Sequence, residues 1–374
     1  MDNHGTFLQL VRLGVDKNIG SLPEYINWEE MDALATKQGL LGVLLDGIQR
    51  LADGADKIPY KKRLEWLGQV MQGYERRYVE YRKAIDALDA FYNTHGYKMM
   101  LLKGYACGRD WPRPEHRPYG DIDIWLFGKQ KEADDVLVRE KGIKIDNSHH
   151  HHTVFSWMGF TVENHYDFIN IHHHRSNAEL EKIFKKLGQD DGHYVEIGGE
   201  RVYLPSPDLH ALFLLKHLMS HFASERMTLR QLLDWAFFVE KRTKEIDWEW
   251  LLPIVENFHM KEFFNIINAI CVEDLGFEFN FNDSTNLCST SVAGRVSCVA
   301  RQNENLSQLK ERVLSEILSP EFSEKAPKNV LWRIPFKYRR WKANEWKHRL
   351  CYNESMHSAF WSGVKSHLLK PNSI

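Results

Sequence analysis

Cysteine is scarce in this chain: 374 residues carry only five, Cys107, Cys271, Cys288, Cys298 and Cys351. The number is odd, the spacing is wide and no Cys-x-x-Cys pair occurs. A disulfide framework and a cysteine-ligated zinc site are both disfavoured. Also missing is any run of about 18 uninterrupted apolar residues, so no segment reads as a membrane-spanning helix. Met1-Asp2-Asn3-His4-Gly5 lacks the basic and then apolar layout of a secretion signal. A reducing cytoplasm is the expected compartment. Strong charge of one sign is absent as well. With a formal net charge of −2, no overall field argues for nucleic acid or an acidic partner, and electrostatic recognition has to be local. No internal repeat is present.

What the chain does have is an ordinary apolar content of 43%, which excludes global disorder, together with 12 Trp. Its length allows two or three modest domains. Residues 6 to about 95 read as helical. Leu8, Leu10, Val11 and Leu13 open an apolar face, a second amphipathic segment starts at Trp28, and a third runs from about Lys61 to Thr94. Gly96 closes it.

The pattern then changes to short strands. Tyr97 to Gly104 is an apolar run ending in glycine, and Asp121 to Phe127 alternates polar and apolar residues. Lys129 to Lys141 predicts a helix. Further strands are expected at Phe160–His165 and Phe168–His172. Helices return from Leu209 to about Phe222, capped by Ser206 or Asp208, then over Thr228–Lys241 and Trp248–Leu275. The expected fold is therefore α+β: a small mixed sheet with helices, flanked by N- and C-terminal helical regions. The expected organisation is an N-terminal helical region over 1–95, the core over 96–205, a helical domain closing the cleft over 206–280, and a C-terminal extension over 281–374.

Chemistry concentrates at Gly120-Asp121-Ile122-Asp123-Ile124. On a strand Asp121 and Asp123 share a face, roughly 6–7 Å apart. Two carboxylates so placed repel each other unless a cation or proton relieves them. Hard oxygen ligands suit Mg²⁺. Upstream, Lys103-Gly104 ends a strand where backbone amides can approach a phosphate. Downstream, Glu163 and His165 alternate onto one face, and a third carboxylate is what two-metal phosphoryl transfer requires. Alone, Asp-x-Asp also describes an exposed strand end with two solvated aspartates.

The order of these pieces is more specific than any one of them. Leu102-Lys103-Gly104 is followed by Trp111-Pro112-Arg113-Pro114-Glu115-His116-Arg117 and Asp121-Ile122-Asp123. Glu163-Asn164-His165 comes next, then His217 with His221, then Arg230 with Asp234. This series resembles a bacterial group of nucleotidyltransferases within the DNA polymerase beta-like superfamily, over roughly residues 30 to 250. Trp111 stands where that group has Tyr, and Lys103-Gly104 differs from the superfamily's Gly-Ser or Gly-Gly turn.

The resemblance implies a polymerase beta-like core that moves a nucleoside monophosphate from an NTP such as ATP to an acceptor, with Mg²⁺ or Mn²⁺. Asp121, Asp123 and Glu163 would be the catalytic and metal-binding carboxylates. Lys103, Gly104, Arg117 and His165 would contact substrate. No acceptor is implied; a sugar, another small molecule or a macromolecule would serve. The alternative is a catalytically silent version of the fold that binds nucleotide or a partner protein.

Other motifs carry weaker readings. His217 and His221 lie one helical turn apart, but Leu218 occupies the place of the glutamate in His-Glu-x-x-His, so that metalloprotease chemistry is not available. Arg230 and Asp234 are spaced for an intrahelical ion pair. The His149–His152 run reads as a loop, and His172 with His174 as one strand face. The tail from Pro327 interleaves Lys and Arg with Trp and Tyr. Such a pattern suits nucleic acid or an anionic membrane surface, but packing against the domain with the charges outward is favoured.

Overall fold

The computed structural model describes residues 2–17, 22–51, 57–172, 174–224, 226–279, 304–319 and 330–358. The chain divides into two compact units. One comprises the described residues of 1–68 and 214–356, and the other is built on residues 69–213. The Asn/Ser-rich stretch after Gly276, with Cys288 and Cys298, lies outside the described residues for most of its length, as does His173.

The second unit carries a six-stranded mixed sheet. Its strands are β1 (Met100–Leu101), β2 (Ile122–Trp125), β3 (His152–Trp157), β4 (Phe160–His165), β5 (Tyr194–Ile197) and β6 (Glu200–Tyr203). They lie side by side in the order β3-β4-β2-β1-β6-β5. β3 and β4 form a hairpin whose turn uses Met158 and Gly159, both at positive φ. β2 and β4 run parallel, in a register that sets Asp123 opposite Glu163 and Trp125 opposite His165. Alternation then sorts the two faces. Ile122, Ile124, Val162 and Phe155 point one way into a buried cluster with Tyr81, Ile85 and Leu88 of the helix Arg76–Thr94 and Ala133 and Leu137 of the helix Gln130–Lys141.

A buried polar knot locks that second helix to the sheet. The Asp134 carboxylate accepts hydrogen bonds from Thr153 Oγ1 at 2.6 Å, Asn164 Nδ2 at 2.8 Å and the Gln130 amide. On the opposite face Trp125 packs on Phe168, ring centroids 4.5 Å apart, and donates from its indole to the Gly188 carbonyl at 3.0 Å. Phe168 in turn stacks on Phe184 of the helix Arg175–Leu187. Phe168–His172 was expected as a strand and is not one. The Phe168 and Ile169 amides donate to the Glu181 carboxylate, at 3.0 and 3.1 Å, so a side chain takes the bonds a neighbouring strand would have received. His172 and His174 consequently share no strand face; His174 precedes the helix Arg175–Leu187.

The first unit is helical. The helices Asn3–Gly14 and Leu41–Arg50 approach so closely that a Cβ on Gly14 would lie 2.1 Å from the Val43 carbonyl oxygen. Buried Gln38 ties separate segments together, donating to Ile317 O and accepting from Leu229 N, both at 2.8 Å. The helix Leu229–Arg242 opens with a Thr228/Gln231 capping box and contains the expected Arg230–Asp234 pair, at 3.3 Å. His217 and His221 lie against each other, ring centroids 4.3 Å apart. In the described part of the tail Lys347 is buried in an ion pair with Glu316 and Arg312 lies 4.0 Å from the Trp346 ring centroid, so residues 346–347 pack on their unit, whereas Trp332 and Tyr338 are exposed. Among the described residues no helix is long and apolar enough to cross a membrane.

Candidate active site

The face of the sheet opposite the core cluster gathers the candidate residues. Parallel in-register neighbours project side chains to the same side, so Asp123 and Glu163 stand next to each other, one strand spacing of about 4.8 Å apart at the backbone. His165, two residues beyond Glu163, shares that face. Its Nε2 lies 3.3 Å from Asp123 Oδ1 and 3.7 Å from Glu163 Oε2. Asp123, Glu163 and His165 each offer a ligand atom within 4.8 Å of the others, which makes them a group able to hold a metal ion.

Lys103 enters from the end of β1. Its Nζ lies 2.6 Å from Asp123 Oδ1, and the Asp123 side chain is only 6% exposed. Burial works against the charge on Asp123, but Lys103 and His165 outweigh it and hold the carboxyl well below the ordinary aspartate range. Burial also opposes the charge on Lys103, and the carboxylates of Asp123 and Glu163 more than restore it. Glu163 is opposed by burial too, yet its contact with His165 leaves it lowered.

Asp121 is placed differently from the expectation. β2 begins at Ile122, so Asp121 precedes the strand and is exposed. It still feels the other carboxylates: partial burial, then the charges of Glu163 and Asp123, raise its carboxyl above the ordinary value. Its backbone is fixed by the buried Tyr81 hydroxyl, which donates to the Asp121 carbonyl at 3.0 Å.

Gly104 has φ +59, and a Cβ there would meet the Tyr81 hydroxyl at 2.1 Å. Only glycine fits, because both the backbone conformation and the space exclude a side chain. Arg117 is buried, donates to the Pro118 carbonyl at 3.1 Å and lies 5.0 Å from the Tyr119 ring centroid.

Two features of the site were not apparent from the sequence. Tyr81, on a helix some 20 positions before the first strand, anchors the turns at both Gly104 and Asp121. The histidine run is also not wholly a loop. His152 is the first residue of β3, buried, and pairs with His165 across the hairpin. The signal was available in the β-branched and aromatic stretch that follows His152, which alternates in phase with Glu163 and His165.

The α+β fold sets two carboxylates and an imidazole side by side on parallel strands, with the partly buried Lys103 against Asp123, an arrangement that could hold a metal ion. A family model described as an uncharacterised nucleotidyltransferase matches residues 24–276, more than half of the chain, and the protein belongs to that family. No curated protein and no solved structure shows significant similarity to it.

Proposed function

We propose that the protein transfers a nucleoside monophosphate from an NTP to an acceptor hydroxyl or phosphate, using a polymerase beta-like core within residues 96–205. The observation that carries this reading is the parallel register of β2 and β4, which brings Glu163 beside Asp123. Sequence places these residues 40 positions apart, and only the fold makes them neighbours.

The donor set suits a hard divalent cation, Mg²⁺ or Mn²⁺. Three carboxylates, Asp121, Asp123 and Glu163, face one lysine and one histidine. Burial first, and then the charges of Glu163 and Asp123, raise the Asp121 carboxyl, and a bound cation would offset the second of these. When bound, the metal supplies charge neutralisation for the triphosphate.

The chain's own groups then have distinct tasks. Lys103 is a counter-ion of Asp123 in the resting protein, and its flexible stem allows Nζ to turn onto a phosphate oxygen once the carboxylate is engaged elsewhere. Gly104, lacking a Cβ, permits close approach of the backbone to that phosphate. Glu163 has a side chain 24% exposed against 6% for Asp123. It is the strand carboxylate reachable from solvent, and we assign it the proton of the acceptor. As the acceptor oxygen bonds to the α-phosphorus, the bond from that phosphorus to the bridging oxygen breaks and pyrophosphate leaves. His165 positions Asp123 and Glu163. Burial of Arg117 against Tyr119 favours a positioning role for it as well, supporting the segment that leads to Asp121.

Incubation of the purified protein with each α-labelled NTP, with and without Mg²⁺ or Mn²⁺, tests the reading, with calorimetry of metal–NTP binding alongside. Binding in the wild type and its loss in Asp123→Ala are expected. Equal affinity in the two proteins would sink the assignment. Binding without transfer to any acceptor would favour the silent, nucleotide-binding alternative.

A further inference from the structure

One cluster beside the site is only partly used by this chemistry: the imidazole of His165 together with those of His151 and His152. Each offers a ligand atom within 4.8 Å of the others. Their rings are crowded, with centroids 4.3 Å apart for His151 and His152 and 5.2 Å for His152 and His165.

We propose that His151, His152 and His165, with Glu163 beside them, form a binding site for a divalent transition-metal ion of the zinc type. The proposal does not rest on nucleotidyl transfer, since the donors converge without any nucleotide.

Distances come first. Donor atoms about 2.1 Å from a tetrahedral zinc ion lie about 3.4 Å from one another. Here His165 Nε2 is 3.7 Å and His152 Nδ1 is 3.9 Å from Glu163 Oε2. Both edges are a few tenths of an ångström wider than that spacing. Both are also too long for hydrogen bonds, so the three atoms do not satisfy each other directly.

Donor state comes next. His152 Nδ1 is buried and has no hydrogen-bond partner, in a residue 6% exposed. Leaving a buried polar atom so is unfavourable, and a metal ion would recover that loss. His165 is oriented in the way metal-bound histidines are: its Nδ1 faces the Asp167 carbonyl at 3.2 Å, which leaves Nε2 turned toward the carboxylates. That carbonyl belongs to a clamped segment, because the Tyr166 and Asp167 amides both donate to the His151 carbonyl, at 3.0 and 3.1 Å.

Imidazole donors separate this site from the one assigned to Mg²⁺. Magnesium prefers oxygen and keeps its waters, whereas zinc, cobalt and nickel favour imidazole nitrogen. Glu163 is common to both sites, so an ion bound here would fix positive charge next to Asp123. The competing state is a protonated His165 bridging the two carboxylates with no metal present.

Cobalt(II) distinguishes the two states, because its visible absorption reports coordination directly. The full-length protein is stripped with a chelator, dialysed, and titrated with Co²⁺ in the absence of nucleotide and Mg²⁺. The expected result is a d–d band that saturates at one ion per chain, is abolished by Zn²⁺ and persists in excess Mg²⁺. The band should survive in the His149→Ala/His150→Ala double variant, which removes the exposed half of the run. It should be lost, or the affinity should fall roughly 100-fold, in His152→Ala and in His152→Gln.

Absence of a saturable band in the wild type would overturn the proposal, and that measurement stands even if the His152 variants fail to fold. A band that follows His149 and His150 instead would mean adventitious binding by the loop, and would overturn it too. Asp121→Asn separates this proposal from the transfer reading. It should lose Mg²⁺–NTP binding and keep the cobalt band, so either reading can fail without the other.

Discussion

Lys103 Nζ sits 2.6 Å from Asp123 Oδ1, and the carboxylate is almost wholly buried. A lysine so placed occupies the position a metal cation would compete for. The pair therefore reports on the resting state of the site, and substitution of the lysine has opposite consequences for stability and for metal. Lys103→Met leaves Asp123 with His165 as its remaining partner cation. Loss of one member of a buried pair costs roughly 3–5 kcal/mol. We expect a lower Tm for the metal-free variant and a larger upward shift of Tm on adding Mg²⁺ than in the wild type. Thermal unfolding with and without Mg²⁺ checks this; equal Mg²⁺ shifts in both proteins would show that Lys103 and the metal do not compete.

Gly104 and Tyr81 make a second coupled pair. Gly104→Ala places a methyl 2.1 Å from the Tyr81 hydroxyl oxygen at a φ of +59. The steric part of this cost should be largely relieved once the hydroxyl is gone, leaving the ring carbon at 3.2 Å, whereas the backbone part should remain. Tyr81→Phe alone loses the hydrogen bond to the Asp121 carbonyl, about 1 kcal/mol. In urea unfolding the double variant should be more stable than the sum of the single losses by about 1 kcal/mol or more. Strict additivity would mean that Tyr81 moves aside freely and does not define the turn.

Asp134 is the third test, and it concerns the scaffold. Its carboxylate accepts from Thr153 and Asn164 of the β3–β4 hairpin and from Gln130 of its own helix, which joins the hairpin to that helix. Burial raises this carboxyl, and the three donors oppose the rise. Asp134→Ala strands these donors in the interior, at about 1–3 kcal/mol for each one left unsatisfied. Chemical denaturation should show a loss of several kcal/mol, and the hairpin amides of β3 and β4 should exchange faster. A loss under about 1 kcal/mol would indicate that water reaches the knot and replaces the carboxylate.

The legibility of this site in the sequence was uneven for a physical reason. Alternation within a strand is a local property, so Asp123 and the Glu163–His165 spacing could be read directly. The pairing of β2 with β4 is not local. A parallel pair is made by tertiary packing across 40 residues, and no pattern within either strand specifies its partner. Asp121 was assigned to a strand because the Asp-Ile-Asp alternation begins there, but the ladder begins one residue later. Phe168–His172 alternates as a strand would. It stays irregular because Glu181, a turn into the next helix, captures its first amides. The placement of His152 depended on where the hairpin's register begins, which is set by the turn at Met158 and Gly159.

Glu181 gives the pH prediction. Burial pushes its carboxyl up to about 8, the charge of Asp167 adds to the rise, and the two amide donors with Lys185 pull the other way. In the unfolded chain a glutamate titrates near 4.3. The folded state therefore holds a proton that the unfolded state releases between these values. A group whose folded pKa is raised contributes stability that is complete below the unfolded value and is lost as pH climbs through the folded one. The wild-type Tm should fall progressively from about pH 4.5 to about pH 8 through this group. Glu181→Gln cannot ionise and should flatten that part of the profile. An amide also presents one acceptor oxygen to two backbone donors, so the variant should be about 1–3 kcal/mol less stable at pH 5, where the wild type is protonated. Calorimetric Tm values across this range for both proteins decide the matter: parallel profiles would mean that Glu181 is ionised throughout and that its two amide bonds outweigh its burial.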